Sequence, residues 1–208
     1  MKYMLHLTTL EAKTYLLLKK IFAIDAIKKT FALAGDTSLA LQIGHRTSID
    51  LEIFSNKVFE IKELEIILET CTDFTFEYYG NNSRMLFGKI NEIKCDFVHE
   101  PTALLEPFEV HDGVSYYGIK DIAAMKLHAV CGRGKKKDFF DIYALLQLYN
   151  KQTLIDWFTQ KYGIQQLFFL WRSILYFEDA ENDPDIEGMS PYTNNWEEIK
   201  RIIAINFS

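Results

Sequence analysis

Apolar residues recur at three- and four-residue intervals from Thr9 to about Lys29 (Leu10, Tyr15, Leu17, Leu18, Ile21, Ile24, Ile27), which predicts one helix or two. The period then changes. "TFALAG" reads as a short buried strand ending at Gly35, and "TSLALQIG" as a short helix or turn. "SIDLEIFS" alternates, with Ile49, Leu51 and Ile53 on one face and Ser48, Asp50 and Glu52 on the other. "EIKELEIILETC" has the spacing of an amphipathic helix. "DFTFEYYG", "RMLFGKI" and "EIKCDFVHE", joined by "NNS" and a tight "NE", predict an antiparallel three-stranded meander. A proline-bearing connector fills 101–118, and helical spacing follows near 119–132, 136–149, 151–162 and 164–177. A loop at about 178–194 holds Pro184, Gly188 and Pro191, and a last helix starts near Asn195. The order predicts an α+β fold: a mixed sheet with flanking helices over 1–118, then a helical region over 119–208 packed on it.

Composition narrows the class without naming a chemistry. The 208 residues are 49% hydrophobic and 25% charged, enough for a sizeable core. No apolar run reaches the roughly 18 residues that cross a bilayer, and "MKYMLHLTTLEAK" lacks the pattern of a secretory signal. Cys71, Cys95 and Cys131 are widely spaced and never CxxC, as expected of buried free thiols in a reducing compartment, the cytoplasm. The net charge of −6 argues against a general nucleic-acid binder. Its distribution is uneven: "GRGKKK" at 132–137 concentrates four cations, and "EDAENDPDIE" at 178–187 carries six acids and no base.

The carboxylates supply the first chemical signal. Asp50 and Glu52 are two apart on one strand face, about 7 Å, and taken alone they fit a solvated sheet face. Here they follow a strand, a glycine turn and a short helix. Two such acids can converge on a hard divalent cation, and a glycine before a helix N-terminus lets backbone N–H groups approach a triphosphate. Together these are parts for metal-assisted phosphoryl transfer. Asp96, between Cys95 and Phe97, points away from those apolar neighbours and is a candidate third acid, or equally a surface acid at a strand end.

Two longer passages carry a family resemblance. "FALAGDTSLALQIGHRTSIDLEIFS" (31–55) resembles the signature of AbiEii/AbiGii-type nucleotidyltransferase toxins, members of the polymerase-β-like nucleotidyltransferase superfamily. "DIAAMKLHAVCGRGKKKDFFDIYALL" (121–146) is similar to the family's helical motif, and "LYFEDAENDPD" (175–185) is a weaker echo. The resemblance implies a polymerase-β-like core. It makes Asp50 and Glu52 the ligands of Mg²⁺ (or Mn²⁺), and Asp96 the third carboxylate, ligand or base. Gly35, Asp36, Thr37 and Ser38 would form the phosphate-facing turn, Lys126 would reach the triphosphate, and Arg133 and Lys137 would add charge. Asp138 would be a functional acid of the second half, and Asp141 would orient it or the cations.

Spacing alone allows blander roles for several of these residues. Lys126 and Arg133 share a helix face, as do Asp138 and Asp141, but the cations can be a solvated stripe and Asp138 a helix cap contributing about 1 kcal/mol. Lys135 and Lys136 read as exposed, at most an electrostatic guide for RNA. His45 and Arg46 could touch the nucleotide, although a histidine beside a turn is more often structural, and His128 reads as a core or rim residue.

The chain departs from the family pattern at Asp36, where a small turn residue is usual, and mildly at Glu52 for Asp. A carboxylate there repels a triphosphate by roughly 1–3 kcal/mol, and as an N-cap it could occupy the N–H groups the phosphates need. The expectation is an NTP-using nucleotidyltransferase acting on a hydroxyl of a tRNA 3′ end or a protein, a toxin with a cognate antitoxin. The alternative is a catalytically impaired homologue that binds nucleotide, RNA or protein. A nuclease using the same acids ranks behind both, since no metal-spaced histidine cluster is present.

Overall fold

Burial follows the sequence periods closely along the first half of the chain. The computed structural model describes residues 4–132 and 134–208, so the candidate cation Arg133 lies outside the described residues. The first helical stretch divides into α1 (Ala12–Phe22), which turns Leu17, Leu18, Ile21 and Phe22 inward, and α2 (Asp25–Thr30), which adds Ile27. Then come β1 (Ala32–Leu33), α3 (Gly35–Ile43), β2 (Leu51–Ser55) and α4 (Ile61–Thr70). The meander follows as β3 (Phe76–Asn81), β4 (Met85–Ile90) and β5 (Ile93–His99). Asn91 and Glu92, at φ 49° and 67°, make the tight turn between β4 and β5.

The connector at 101–118 is not structureless. It contains β6 (Glu109–His111) and β7 (Val114–Tyr116), joined by Asp112 and Gly113 at φ 50° and 83°. An Asp-Gly pair with both residues left-handed is a strong hairpin signal, and the prolines upstream masked it. The sheet order is β3-β4-β5-β2-β1-β7-β6, with β2 parallel to β5 and β1 parallel to β7. Ile49 also departs from expectation. It is 69% exposed because β2 begins only at Leu51, and the preceding segment is diverted by the Ser48 N–H donating to the Thr9 carbonyl.

The second half is helical: α5 (Ile119–Gly132), α6 (Lys136–Leu146), α7 (Lys151–Tyr162), α8 (Leu167–Ser173) and α9 (Trp196–Phe207). Asn150 and Asn195 cap α7 and α9 by accepting from the Thr153 and Glu198 N–H groups. The stretch expected as one helix over 164–177 is a 3₁₀ turn at Ile164–Gln166 followed by the short α8. None of the helices among the described residues is long and apolar enough to cross a membrane.

Two cores lie on opposite faces of the sheet. Leu33, Leu51, Ile53, Cys95 and Phe97 pack with α1, α2 and α4, while Ala32 and Ala34 join Tyr117 and the residues of α5–α9. The two-residue period of a strand therefore sends Glu52 and Asp96, whose neighbours all enter the first core, to the face that carries the helices of the second half.

Candidate active site

Parallel pairing of β2 with β5 places Glu52 and Asp96 opposite each other in register. Asp50 lies two residues before Glu52, just ahead of the strand, and its carbonyl accepts a hydrogen bond from the Thr37 hydroxyl. Thr37 Oγ1 also shares a 2.7 Å hydrogen bond with Ser48 Oγ, so α3 is tied to the entry of β2. Gly35 makes the close approach possible. It sits at φ +60°, and a Cβ there would lie 1.8 Å from Glu52 Oε2. The Asp36 N–H donates to that same oxygen at 3.1 Å, setting the Glu52 carboxylate on the first turn of α3.

Lys94, not singled out from the sequence, completes this cluster. Its Nζ lies 2.9 Å from Asp96 Oδ2. The hydrogen bond to Asp96 holds the Lys94 pKa above its ordinary value against the opposing effect of partial burial, and the charges of Asp96, Asp50 and Glu52 add to it. Alternation was the available signal, since a residue two before Asp96 on a strand shares its face. Asp96 Oδ1 is buried and has no hydrogen-bond partner among the described residues.

A second cluster of charges lies beside the first. Asp36 is not the cap of α3: Ala34 holds that position and no side chain caps the helix. The Asp36 carboxylate turns instead to Lys126 Nζ on α5 and Lys137 Nζ on α6, the latter at 2.5 Å, and to Arg46, from the segment after α3, at 3.4 Å. Asp141 takes Arg46 through both Nε (2.7 Å) and a terminal nitrogen (3.0 Å), Lys126 Nζ at 2.6 Å and His45 Nε2 at 2.6 Å. Asp138 is fully buried 3.6 Å from Lys126; Lys135 occupies the N-cap of α6, so Asp138 is not the cap. Among the described residues three acids thus face three cations, Arg46, Lys126 and Lys137.

Electrostatics fixes the protonation of this cluster. Burial alone would raise the Asp36 and Asp141 pKa values, yet Lys126 and Arg46 outweigh it and hold both carboxyls far below the ordinary range. Burial lowers the His45 pKa despite its hydrogen bond to Asp141. A neutral His45 donates Nε2–H to the acceptor-only Asp141 carboxylate, and among the described residues its buried Nδ1 has no hydrogen-bond partner.

The two clusters differ in fitness for a metal. Asp36, Asp138 and Asp141 can bring one oxygen each to within 4.8 Å of one another, but protein cations already fill that space. In the other cluster Asp96 pairs with the Lys94 ammonium, the charges of Asp50 and Glu52 act on the same ammonium, and among the described residues one buried Asp96 oxygen has no hydrogen-bond partner. That donor set suits a hard divalent cation.

A pocket of about 170 Å³ opens between the clusters, walled by Gly35, Asp36, Glu52, Glu100, Lys126 and His128. Glu100 left no signal in the sequence. His128 lies at the rim, its ring stacked 4.2 Å from that of Tyr162. Ser38 does not face the pocket; it is fully buried and accepts from Gln42 Nε2 at 3.0 Å. Lys136 is not the exposed cation expected. Its Nζ is 3.0 Å from Asp185 and lies over the Trp196 ring, because the acidic stretch 178–187 folds back on the basic one. Lys135 stays exposed, 3.7 Å from Asp183.

Known proteins match this chain in sequence and in fold. The family model described as "Nucleotidyl transferase AbiEii toxin, Type IV TA system" matches residues 92–201. An uncharacterized protein of Aquifex aeolicus (strain VF5) is 31% identical over 189 residues, 88% of each chain. JHP933 from Helicobacter pylori shares the fold at a TM-score of 0.54 and 14% identity, over 95% of this chain and 91% of that one. MenT4, a nucleotidyltransferase toxin of Mycobacterium tuberculosis H37Rv, does so at 0.54 and 12%, over 95% and 85%.

Proposed function

The chain belongs to the AbiEii nucleotidyltransferase toxin family, and we propose that it moves a nucleoside monophosphate from an NTP to an acceptor hydroxyl, in a cleft between an α/β core, 1–118, and a helical region, 119–208. The observation that carries this reading is the register pairing of Glu52 with Asp96, on the sheet face that meets the Gly35 turn and Lys126. Mg²⁺ or Mn²⁺ held by Asp50, Glu52 and Asp96 would supply charge neutralisation and polarise the phosphate. Gly35 and the first turn of α3 receive the triphosphate, and Lys126 faces it from α5. Asp96 would act as the base for the proton of the attacking hydroxyl. As the new O–P bond forms at the α-phosphorus, the bond to the bridging oxygen breaks and pyrophosphate leaves.

Asp36 no longer speaks for an impaired homologue. Its charge is met by Lys126, Lys137 and Arg46 inside the protein, so the carboxylate does not stand free before the phosphates. We take a tRNA 3′ end as the acceptor, with a protein hydroxyl as the second candidate, and a cognate antitoxin as the partner that relieves toxicity.

The test is transfer of label from each of the four α-³²P-NTPs, with Mg²⁺, to total tRNA or to cell protein. Wild type is expected to label an acceptor and release pyrophosphate, and Asp50→Ala to do neither. Equal, background labelling by both proteins with all four nucleotides overturns the reading.

A further inference from the structure

We propose that Lys94 is a built-in competitor for the divalent cation: its ammonium pairs with Asp96 when no cation is bound and withdraws when one arrives, so that it sets the cation concentration at which the site fills. The inference rests on the assignment of Asp50, Glu52 and Asp96 as the cation ligands. It concerns a residue to which that assignment gives no role.

Three features of the cluster lead there. Lys94 approaches from solvent, its side chain 53% exposed against 9% for the Asp96 side chain it covers. The stem can therefore retract without opening the core. A single positive charge then faces three acids, which leaves the cluster short of charge and favours a divalent replacement. Finally, the ammonium pairs with Asp96 Oδ2, and among the described residues the buried Oδ1 has no hydrogen-bond partner. A lysine offers one compact group of donors. A divalent cation takes several oxygens at once and would engage the one that Lys94 leaves unmet.

Lys94 also has a place to go. On the neighbouring strand Lys89 stands opposite it in register and lies over the Tyr79 ring at 5.5 Å. That surface is open to water, so a displaced ammonium is solvated rather than buried. Repulsion from Lys89 keeps the displaced group from settling there in a new pairing and leaves it free to return when the cation departs.

The experiment is a titration with Mn²⁺ in the absence of nucleotide, following loss of the free-ion signal by electron paramagnetic resonance. It compares wild type, Lys94→Met, Lys94→Arg and Asp96→Asn. Lys94→Met is expected to bind Mn²⁺ about fivefold to tenfold more tightly, the scale of one partly exposed ion pair plus the relief of cation–cation repulsion. Lys94→Arg keeps the charge and is expected to stay within about twofold of wild type. Without metal, Lys94→Met is expected to melt below wild type and to gain more from added Mn²⁺, a linkage that loss of packing alone would not produce. Unchanged or weaker Mn²⁺ binding by Lys94→Met overturns the role of Lys94 while leaving the ligand assignment intact. Binding by Asp96→Asn equal to that of wild type, or no binding by any of the four proteins, removes the ligand assignment and this inference with it.

Discussion

Asp141→Asn is expected to lower the stability of the protein by about 3–5 kcal/mol, the cost of breaking a buried ion pair from one side. The carboxylate accepts from Arg46 at 2.7 and 3.0 Å, from Lys126 at 2.6 Å and from His45 at 2.6 Å, with no exposed surface. An asparagine of the same shape turns an NH₂ donor toward one of these donors and leaves a positive charge uncompensated in the interior. For a chain of this length the loss corresponds to a fall of roughly 10 °C in melting temperature. Thermal or urea unfolding measures it, and a loss under about 1 kcal/mol would contradict the keystone role given to Asp141.

The same cluster sets the acid limb of the stability curve. His45 has a folded pKa below its ordinary 6.5, so its contribution is present above that value and is lost as pH falls below it, when the unfolded chain takes the proton first. Asp36 and Asp141 are depressed from 3.8, so their contribution is present above that value and disappears as pH falls further. Wild type is expected to begin losing stability just below pH 6.5 and to lose it steeply below about pH 4. Asp141→Asn is expected to show a shallower slope in the lower window, because one strongly depressed carboxyl no longer titrates. Parallel curves for the two proteins would show that Asp141 is not linked to acid unfolding.

Gly35→Ala is expected to cut transfer about a hundredfold or more, since displacement of a reacting group by an ångström has that effect. The backbone at φ +60° disfavours any side chain by about 1–2 kcal/mol, and the added Cβ would lie 1.8 Å from Glu52 Oε2. Glu52 or the first turn of α3 has to move, and either shift separates the carboxylate from the Asp36 N–H that holds it. Combining Gly35→Ala with Glu52→Ala removes the two closest contacts and leaves a 3.2 Å approach to the Cβ at position 52, so the double variant is expected to be more stable than Gly35→Ala alone while remaining inactive. Melting curves and the labelled-NTP assay read the two effects separately. Wild-type transfer by Gly35→Ala would remove the turn from the proposed site.

Local order was legible from neighbouring residues. Helical spacing marked α5 and α7 at their observed ends, and alternation marked which side of each strand faces a core. Local pattern is ambiguous where a second signal competes: the Asp112-Gly113 hairpin lies behind prolines, and Ile49 belongs to a segment pinned to Thr9 before the strand begins.

The partnerships of the charged residues were of another kind. Asp36 meets Lys126 across 90 positions of sequence and Lys136 meets Asp185 across 49, and no period or motif states such a distance. From the sequence Asp36 looks like an obstacle to phosphate and Lys136 like a free surface cation; packing of α3 against α5 and the return of the acidic stretch give each its counter-ion. Residue types and their faces follow from the chain because a helix repeats every 3.6 residues and a strand every two. Which acid lies beside which follows from burial of Leu51, Ile53, Cys95 and Phe97, which selects one register for two strands distant in sequence and brings Glu52 and Asp96 together on the opposite face.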